Sequence, residues 1–246
     1  MLTKEQRKDF NGLIIDGVQT YEDDLVTHDL CVTGAALLKE DLEADNIEIS
    51  GSADVRGLVT CDSINVEGRL QCGYSLVVDS GEINGRLKVS GKINAETLSA
   101  YGRVTCRSSA KIYELDVAGE FSCLGKLRSE KITVMGSLWV DGSIRTQKFA
   151  IDSFSKSYAD EIVADSIVVK MSASEKGHEQ GNSEETDYLL SCTEVDCDKA
   201  NICYTKIRTL YCKRAYIGPG CVIDEIFCKK EVTVSPQATV GKVVYL

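Results

Sequence analysis

Apolar side chains in this chain recur as spaced pairs. Aligned in windows of seventeen residues, such as 52–68 and 120–136, the sequence places apolar or small residues at window positions 2 and 4, 8 and 10, and 13 and 15. In 120–136 the pairs are Phe121/Cys123, Leu127/Ser129 and Ile132/Val134; in 86–102 they are Leu87/Val89, Ile93/Ala95 and Leu98/Ala100. Within a pair the alternation is that of a strand with one face turned inward. From pair to pair the step is six, five and six residues, so the alternation restarts at each corner and three inward pairs close a triangle. A helix, with its period near 3.6, does not produce this. The pattern predicts an all-β solenoid with about 17 residues, three short strands and three tight corners per turn.

Glycine marks the period. It stands at 17, 34, 51, 68, 85, 102, 119 and 136, one fixed phase of the coil, where a corner with left-handed backbone is expected. A second series, Gly57, Gly91, Gly125 and Gly142, marks another corner. The only prolines are Pro219 and Pro236, which agrees with unbroken hydrogen bonding between stacked turns before them. Residues seventeen apart become ladders. Position 4 reads Leu38, Val55, Cys72, Val89, Cys106, Cys123, Val140 and is expected inside; position 11 reads His28, Asp45, Asp62, Asp79, Glu96, Tyr113, Glu130, Gln147, an outward and mostly acidic corner. Arg69, Arg86 and Arg103 share position 1, and Lys111, Arg128 and Arg145 share position 9.

The register holds through Ile151 and slips by about one residue around 154–164. The organisation read from this is an N-terminal tail over 1–15, a main coil over 16–171, a polar loop or linker over 172–187 without apolar periodicity, and a C-terminal coil over 188–246. In the last segment pairs return, among them Val195/Cys197, Leu210/Cys212 and Ile226/Cys228, as about three further turns that either continue the first stack or lie beside it.

The formal net charge of -10 argues against nucleic acid as a partner. It is uneven: residues 1–50 carry 4 basic and 12 acidic side chains, whereas 51–150 carry 13 and 11. No apolar run has the length of a transmembrane helix and Met1 to Asn11 does not read as a signal peptide, so a cytoplasmic protein is expected. The eleven cysteines fall mostly on inward columns, lack CxxC spacing and read as small core residues rather than a disulfide framework or a metal site.

Two stretches of the sequence invite an enzymatic reading. Ala215 to Ile223 (AYIGPGCVI) looks like one rung of a hexapeptide acyltransferase, but the turns lack that family's eighteen-residue regularity. The general base would fall to His28, read as an exposed corner residue without a partner, or to His178 in the polar loop. The column Asp45, Asp62, Asp79, Glu96 would suit a polysaccharide lyase or hydrolase only with a cleft around it, and the nearly constant corner length builds no walls. A solvated corner favouring Asp accounts for the column.

Phrases such as EADNIEISGSADVRGLVTCDSINVEGRL and SGEINGRLKVSGKINAETLSAYGRV, within Asp41 to Ile167, resemble the bactofilins, polymer-forming cytoskeletal proteins of bacteria. The resemblance covers about two thirds of the chain. It implies a right-handed triangular parallel β-helix whose subunits join end to end into nucleotide-independent filaments that position cell-shape or cell-wall factors. It also implies a peripheral membrane contact through an N-terminal peptide, here Met1, Leu2 and Lys4, although the aromatic residue usual at the second position is missing. The Cys-rich extra coil departs from the simplest family plan.

The expectation is therefore a scaffold with no enzymatic activity and no cofactor, self-associating into filaments, the alternative being a solenoid adaptor that binds a protein partner. A solenoid exposes a strand edge and a cross-section of core at each end. The candidate end-to-end contacts are Leu25, Leu30 and Val32 on the first rung and Val240, Val243, Val244 and Tyr245 on the last.

Overall fold

The computed structural model describes residues 12–171 and 188–246. They form an all-β parallel solenoid of about 13 turns with about 17 residues per turn and no helix. The chain makes two compact units, Met1–Leu115 with Gly119–Leu124, and Asp116–Ala118 with Gly125–Leu246.

In the first unit each turn is a four-residue strand followed by an eight-residue strand, for example Arg86–Val89 and Ile93–Ala100. The expected second and third strands are therefore one. The corner between them is marked by two successive outward residues inside the longer strand, as in Leu42–Ile49, whose burial alternates, pauses for Asp45 and Asn46, then alternates again. Pairing skips only the corner residue: Thr27 faces Ala44 and Asp29 faces Asn46, with His28 and Asp45 left out of the ladder. Side chains bridge the rungs there instead. Asn46 Nδ2 donates to Asp29 Oδ1 at 2.8 Å and Ser63 Oγ to Asn46 Oδ1 at 2.6 Å, each seventeen residues apart. At the corner between the short and the long strand, the Leu58 amide donates to Asp41 Oδ1 at 2.7 Å and the Lys92 amide to Ser75 Oγ at 3.0 Å, so short polar side chains satisfy backbone groups that the turn leaves unpaired.

The inward columns are as expected. Leu38, Val55, Cys72, Val89, Cys106 and Cys123 stack at 0 to 1% exposure. The strands carry them in register: Arg86–Val89 lies between Arg69–Cys72 and Arg103–Cys106 with all four residues paired on both sides. Each fully buried Leu, Ile or Val in such a column contributes about 1.5–3 kcal/mol relative to exposure.

The recurring glycines serve a different purpose from the one expected. None of Gly34, Gly51, Gly68, Gly85 and Gly102 has a left-handed backbone; among the described glycines positive φ occurs at Gly12 and Gly220. The amides of Asn84 and Gly85 converge on the Val66 carbonyl at 2.9 and 2.7 Å, and those of Glu67 and Gly68 on Ile49 at 2.9 Å. This draws each glycine onto the one a turn earlier. A Cβ on Gly51 would stand 2.0 Å from the Gly34 carbonyl oxygen, and one on Gly102 would stand 2.1 Å from that of Gly85. Close backbone approach, not φ, excludes a side chain.

In the second unit the corners tighten. The strands Leu190–Ile202, Thr205–Ile217 and Val222–Val234 each run around most of a turn. In Thr205–Ile217 the inward pairs Thr205/Ile207, Leu210/Cys212 and Ala215/Ile217 are separated by two outward residues at each corner. Leu190 pairs with Thr205, a turn of fifteen residues, because the glycine corner and one other have each lost a residue. The slip in register is present as well. Trp139 pairs with Tyr158 but Ser143 with Glu161, a shift of one residue taken up by an irregularity between Val140 and Ser143. Polar residues absorb the slack: buried Ser153 donates its hydroxyl to the Gly136 carbonyl at 2.9 Å, and the Leu138 amide donates to Ser157 Oγ at 3.1 Å.

The strand Leu190–Ile202 pairs along its length with Ser157–Met171. The segment from 188 onward thus continues the stack of its own unit rather than forming a module beside it. Ser157 pairs with Leu190, 33 positions on, which is one 17-residue turn plus the sixteen residues 172–187. Those sixteen, with the polar loop and His178, lie outside the described residues.

Candidate functional site

The last rung is reached through a turn that the sequence favours, Ser235-Pro236-Gln237-Ala238, in which the Ala238 amide donates to the Ser235 carbonyl at 3.0 Å. The strand Thr239–Tyr245 then pairs in parallel with Val222–Cys228, placing Val240 on Ile223, Val243 on Ile226 and Tyr245 on Cys228. These are inward columns. Ile226 and Cys228 are 0% exposed, whereas Val243 is 37% and Tyr245 64% exposed. Val234, stacked on buried Ile217, is likewise exposed. Val244 follows the outward column of Phe227, whose ring stacks on Tyr211 with centroids 5.0 Å apart. Leu246, its amide bonded to the Cys228 carbonyl at 3.0 Å, is exposed beside them. Four of the sequence-predicted residues, Val240, Val243, Val244 and Tyr245, therefore share one rung, and its other edge has no partner strand among the described residues.

The first rung differs from expectation. A strand, Leu13–Ile15, lies inside the segment read as tail, and it pairs with Leu30–Val32. Leu30 and Val32 are thereby covered, at 1% and 0% exposure, and Leu25 is buried on Leu42. None of the three is an exposed contact. The short apolar run Leu13-Ile14-Ile15 contains just one inward pair, too little periodicity to mark a strand before its partner is known. Beside it, Val18–Tyr21 pairs with Ala35–Leu38 and sets Gln19 and Tyr21 on the inward columns of Ala36 and Leu38. The Tyr21 hydroxyl donates to Gln19 Oε1 at 2.6 Å, so this pair of columns ends in polar groups. Met1, Leu2 and Lys4 lie outside the described residues.

Cysteines line the interior. Cys106 and Cys123 stand on adjacent rungs, and Cys197, Cys212 and Cys228 on three. All eleven are free, and nine are buried, the partly exposed ones being Cys31 and Cys203. Burial pushes the thiols of Cys61, Cys192 and Cys197 up to about 12 and that of Cys221 to about 11. Cys106 runs the other way: the hydrogen bond from Cys123 lowers its pKa against the opposing effect of burial. No group of three His, Cys, Asp or Glu side chains among the described residues is arranged to hold a metal ion.

The acidic column forms an exposed corner, as expected from its position. His28 is not alone there: its Nδ1 lies 2.7 Å from Asp45 Oδ2 one rung on. The AYIGPGCVI segment turns a corner in which Gly220 has φ +69° and a Cβ on Gly218 would stand 2.4 Å from Cys203 Sγ. The second unit also carries an aromatic pair that the column reading did not single out. Trp139 and Tyr158 have ring centroids 5.1 Å apart; the indole donates to Asp141 at 3.0 Å, and the Tyr158 hydroxyl donates to Asp160. They are nineteen residues apart, across the slipped register, so no seventeen-residue alignment brings them together.

No family model, curated protein or solved structure matches this chain.

Proposed function

We propose that this protein is a non-enzymatic structural scaffold, bactofilin-like in plan, whose coils join end to end into filaments in the cytoplasm and there position protein partners for cell shape or the cell wall. The observation that carries the reading is the last rung. Val234, Val243 and Tyr245 occupy core columns yet are 39%, 37% and 64% exposed, beside a strand edge that has no partner strand among the described residues. A parallel strand added by another copy would bury those side chains and take up those hydrogen bonds, as each rung already does for the one beneath it. The receiving surface is not made of Leu30 and Val32, which are covered; the half-buried Leu13 continues the Leu30 column, while the exposed Ile14 and Val18 face outward on the columns of Cys31 and Ala35. Such a head-to-tail contact is heterologous and leaves both ends open to further growth.

Negative-stain electron microscopy of the purified protein, with sedimentation over a range of concentration and salt, tests the proposal. Unbranched filaments, one coil wide at physiological salt and above, are expected. Monodisperse monomers under every condition would overturn it and leave the adaptor reading.

A further inference from the structure

Charge is sorted across the coil of the first unit. The short strands Arg69–Cys72, Arg86–Val89 and Arg103–Cys106 stack in register, so their outward positions form one flat face. That face carries Arg69 and Gln71, Arg86 and Lys88, and Arg103 and Thr105, with four cations and no carboxylate in three rungs. Arg103 meets Glu120 on the following rung at 2.8 Å, and Arg69 reaches Gln71 at 3.3 Å. Arg86 and Lys88 form no salt bridge among the described residues.

Asp62, Asp79 and Glu96 stand on the corner inside the long strands Val59–Val66, Leu76–Ile83 and Ile93–Ala100. They too are exposed and without a salt bridge among the described residues. In a three-sided turn, the corner between the second and third inward pairs is the vertex opposite the first side. The basic face and the acidic corner thus point away from each other and cannot neutralise one another within one molecule. Both ladders repeat at the rung spacing of about 4.8 Å. Any displacement by whole rungs keeps them matched.

We propose that the basic face built on Arg69, Arg86 and Lys88 receives the acidic corner Asp62, Asp79 and Glu96 of a second copy lying alongside. Each copy then still offers one free face and one free corner, so the contact is heterologous and extends as a lateral row. Being built from exposed charges, it is screened at physiological salt, where the Debye length is about 8 Å. The apolar end contact described above is not lost in this way, so failure of either contact is distinguishable from failure of the other.

The test uses the full chain and two charge-reversed variants, Arg69→Glu, Arg86→Glu, Lys88→Glu in one and Asp62→Lys, Asp79→Lys, Glu96→Lys in the other. Sedimentation velocity at about 0.02 M and about 0.5 M salt reads the salt-sensitive part of association. The wild type is expected to associate at low salt. Each variant alone should do so at least about tenfold more weakly, and an equimolar mixture should recover, because the new acidic face fits the new basic corner. If a reversed variant loses its β-rich circular dichroism, the neutral pair Arg86→Gln, Lys88→Gln must still weaken the low-salt association. Three outcomes overturn the proposal: association of the wild type independent of salt, a mixture no better than its components, and a wild type that stays monomeric at low salt but sediments with anionic phospholipid vesicles.

Discussion

The carbonyl oxygen of Gly68 lies 2.1 Å from the point where a Cβ on Gly85 would stand, and the Glu67 carbonyl oxygen lies 2.2 Å from it. Two successive turns meet there backbone to backbone, with no flexible side chain to yield. Gly85→Ala should therefore destabilise the protein by about 1–3 kcal/mol, the cost of overpacking. Gly17→Ala, at the same phase but with nothing within 4 Å, should change stability by less than about 0.5 kcal/mol. Thermal melts of the two variants check the contrast; equal melting temperatures would mean that the stacking contact does not hold the corner.

The buried thiols set a pH dependence. An ordinary cysteine ionises near 9.0, whereas those of Cys61, Cys192 and Cys197 are held up to about 12 in the coil. Above 9 the unfolded chain loses these protons and the folded chain does not, so their contribution is complete below pH 9 and is lost as pH rises towards 12. Melting temperature followed over that range should fall less steeply for Cys61→Ala or Cys197→Ala than for the wild type. In the native protein near neutral pH, a thiol reagent should reach Cys31 and Cys203 first, with Cys106 and Cys123 labelled only after denaturation. Fast native labelling of Cys123 would place that column outside.

Val243→Lys with Tyr245→Lys introduces two charges at inward positions of the last rung, over Ile226 and Cys228. Filaments should disappear from negative-stain fields while the β-rich circular dichroism spectrum is retained. Assembly equal to wild type would remove this rung as the contact.

Joining Met171 to Tyr188 without residues 172–187 would restore a 17-residue spacing between Ser157 and Leu190. The shortened chain should fold to the same β-rich state, with a melting temperature within a few degrees of the full chain. Loss of cooperative unfolding would show that the sixteen residues take part in the coil.

Much of the coil was legible because its core is written in pairs. Phe121/Cys123 and Ile132/Val134, inward by spacing alone, are at most 1% exposed. The spacing also misled where polarity hid an inward residue. Thr205 is fully buried, its hydroxyl donating to the Cys203 carbonyl at 2.9 Å, so the pair Thr205/Ile207 escaped a reading that looked for apolar residues. The candidate end contacts divide in the same way. Val243 and Tyr245 could be placed from the columns they continue, while the covering of Leu30 and Val32 depends on a three-residue strand that has meaning only against its partner.

The sequence by itself determined the period, the inward columns and the acidic corner, because each follows from a repeat that local alternation and turn chemistry impose on every rung alike. Only the tertiary structure decided why Gly85 must be glycine, that Leu13–Ile15 belongs to the coil, and that 188–246 continues the stack. Those depend on what lies one turn away, and the distance from a residue to its neighbour in the next rung is 17 positions at Gly85, 15 at Leu190 and 33 at Ser157. Stacking registers are set by which backbone groups can pair and which side chains can fill the core between them, a property of two rungs together that neither states alone.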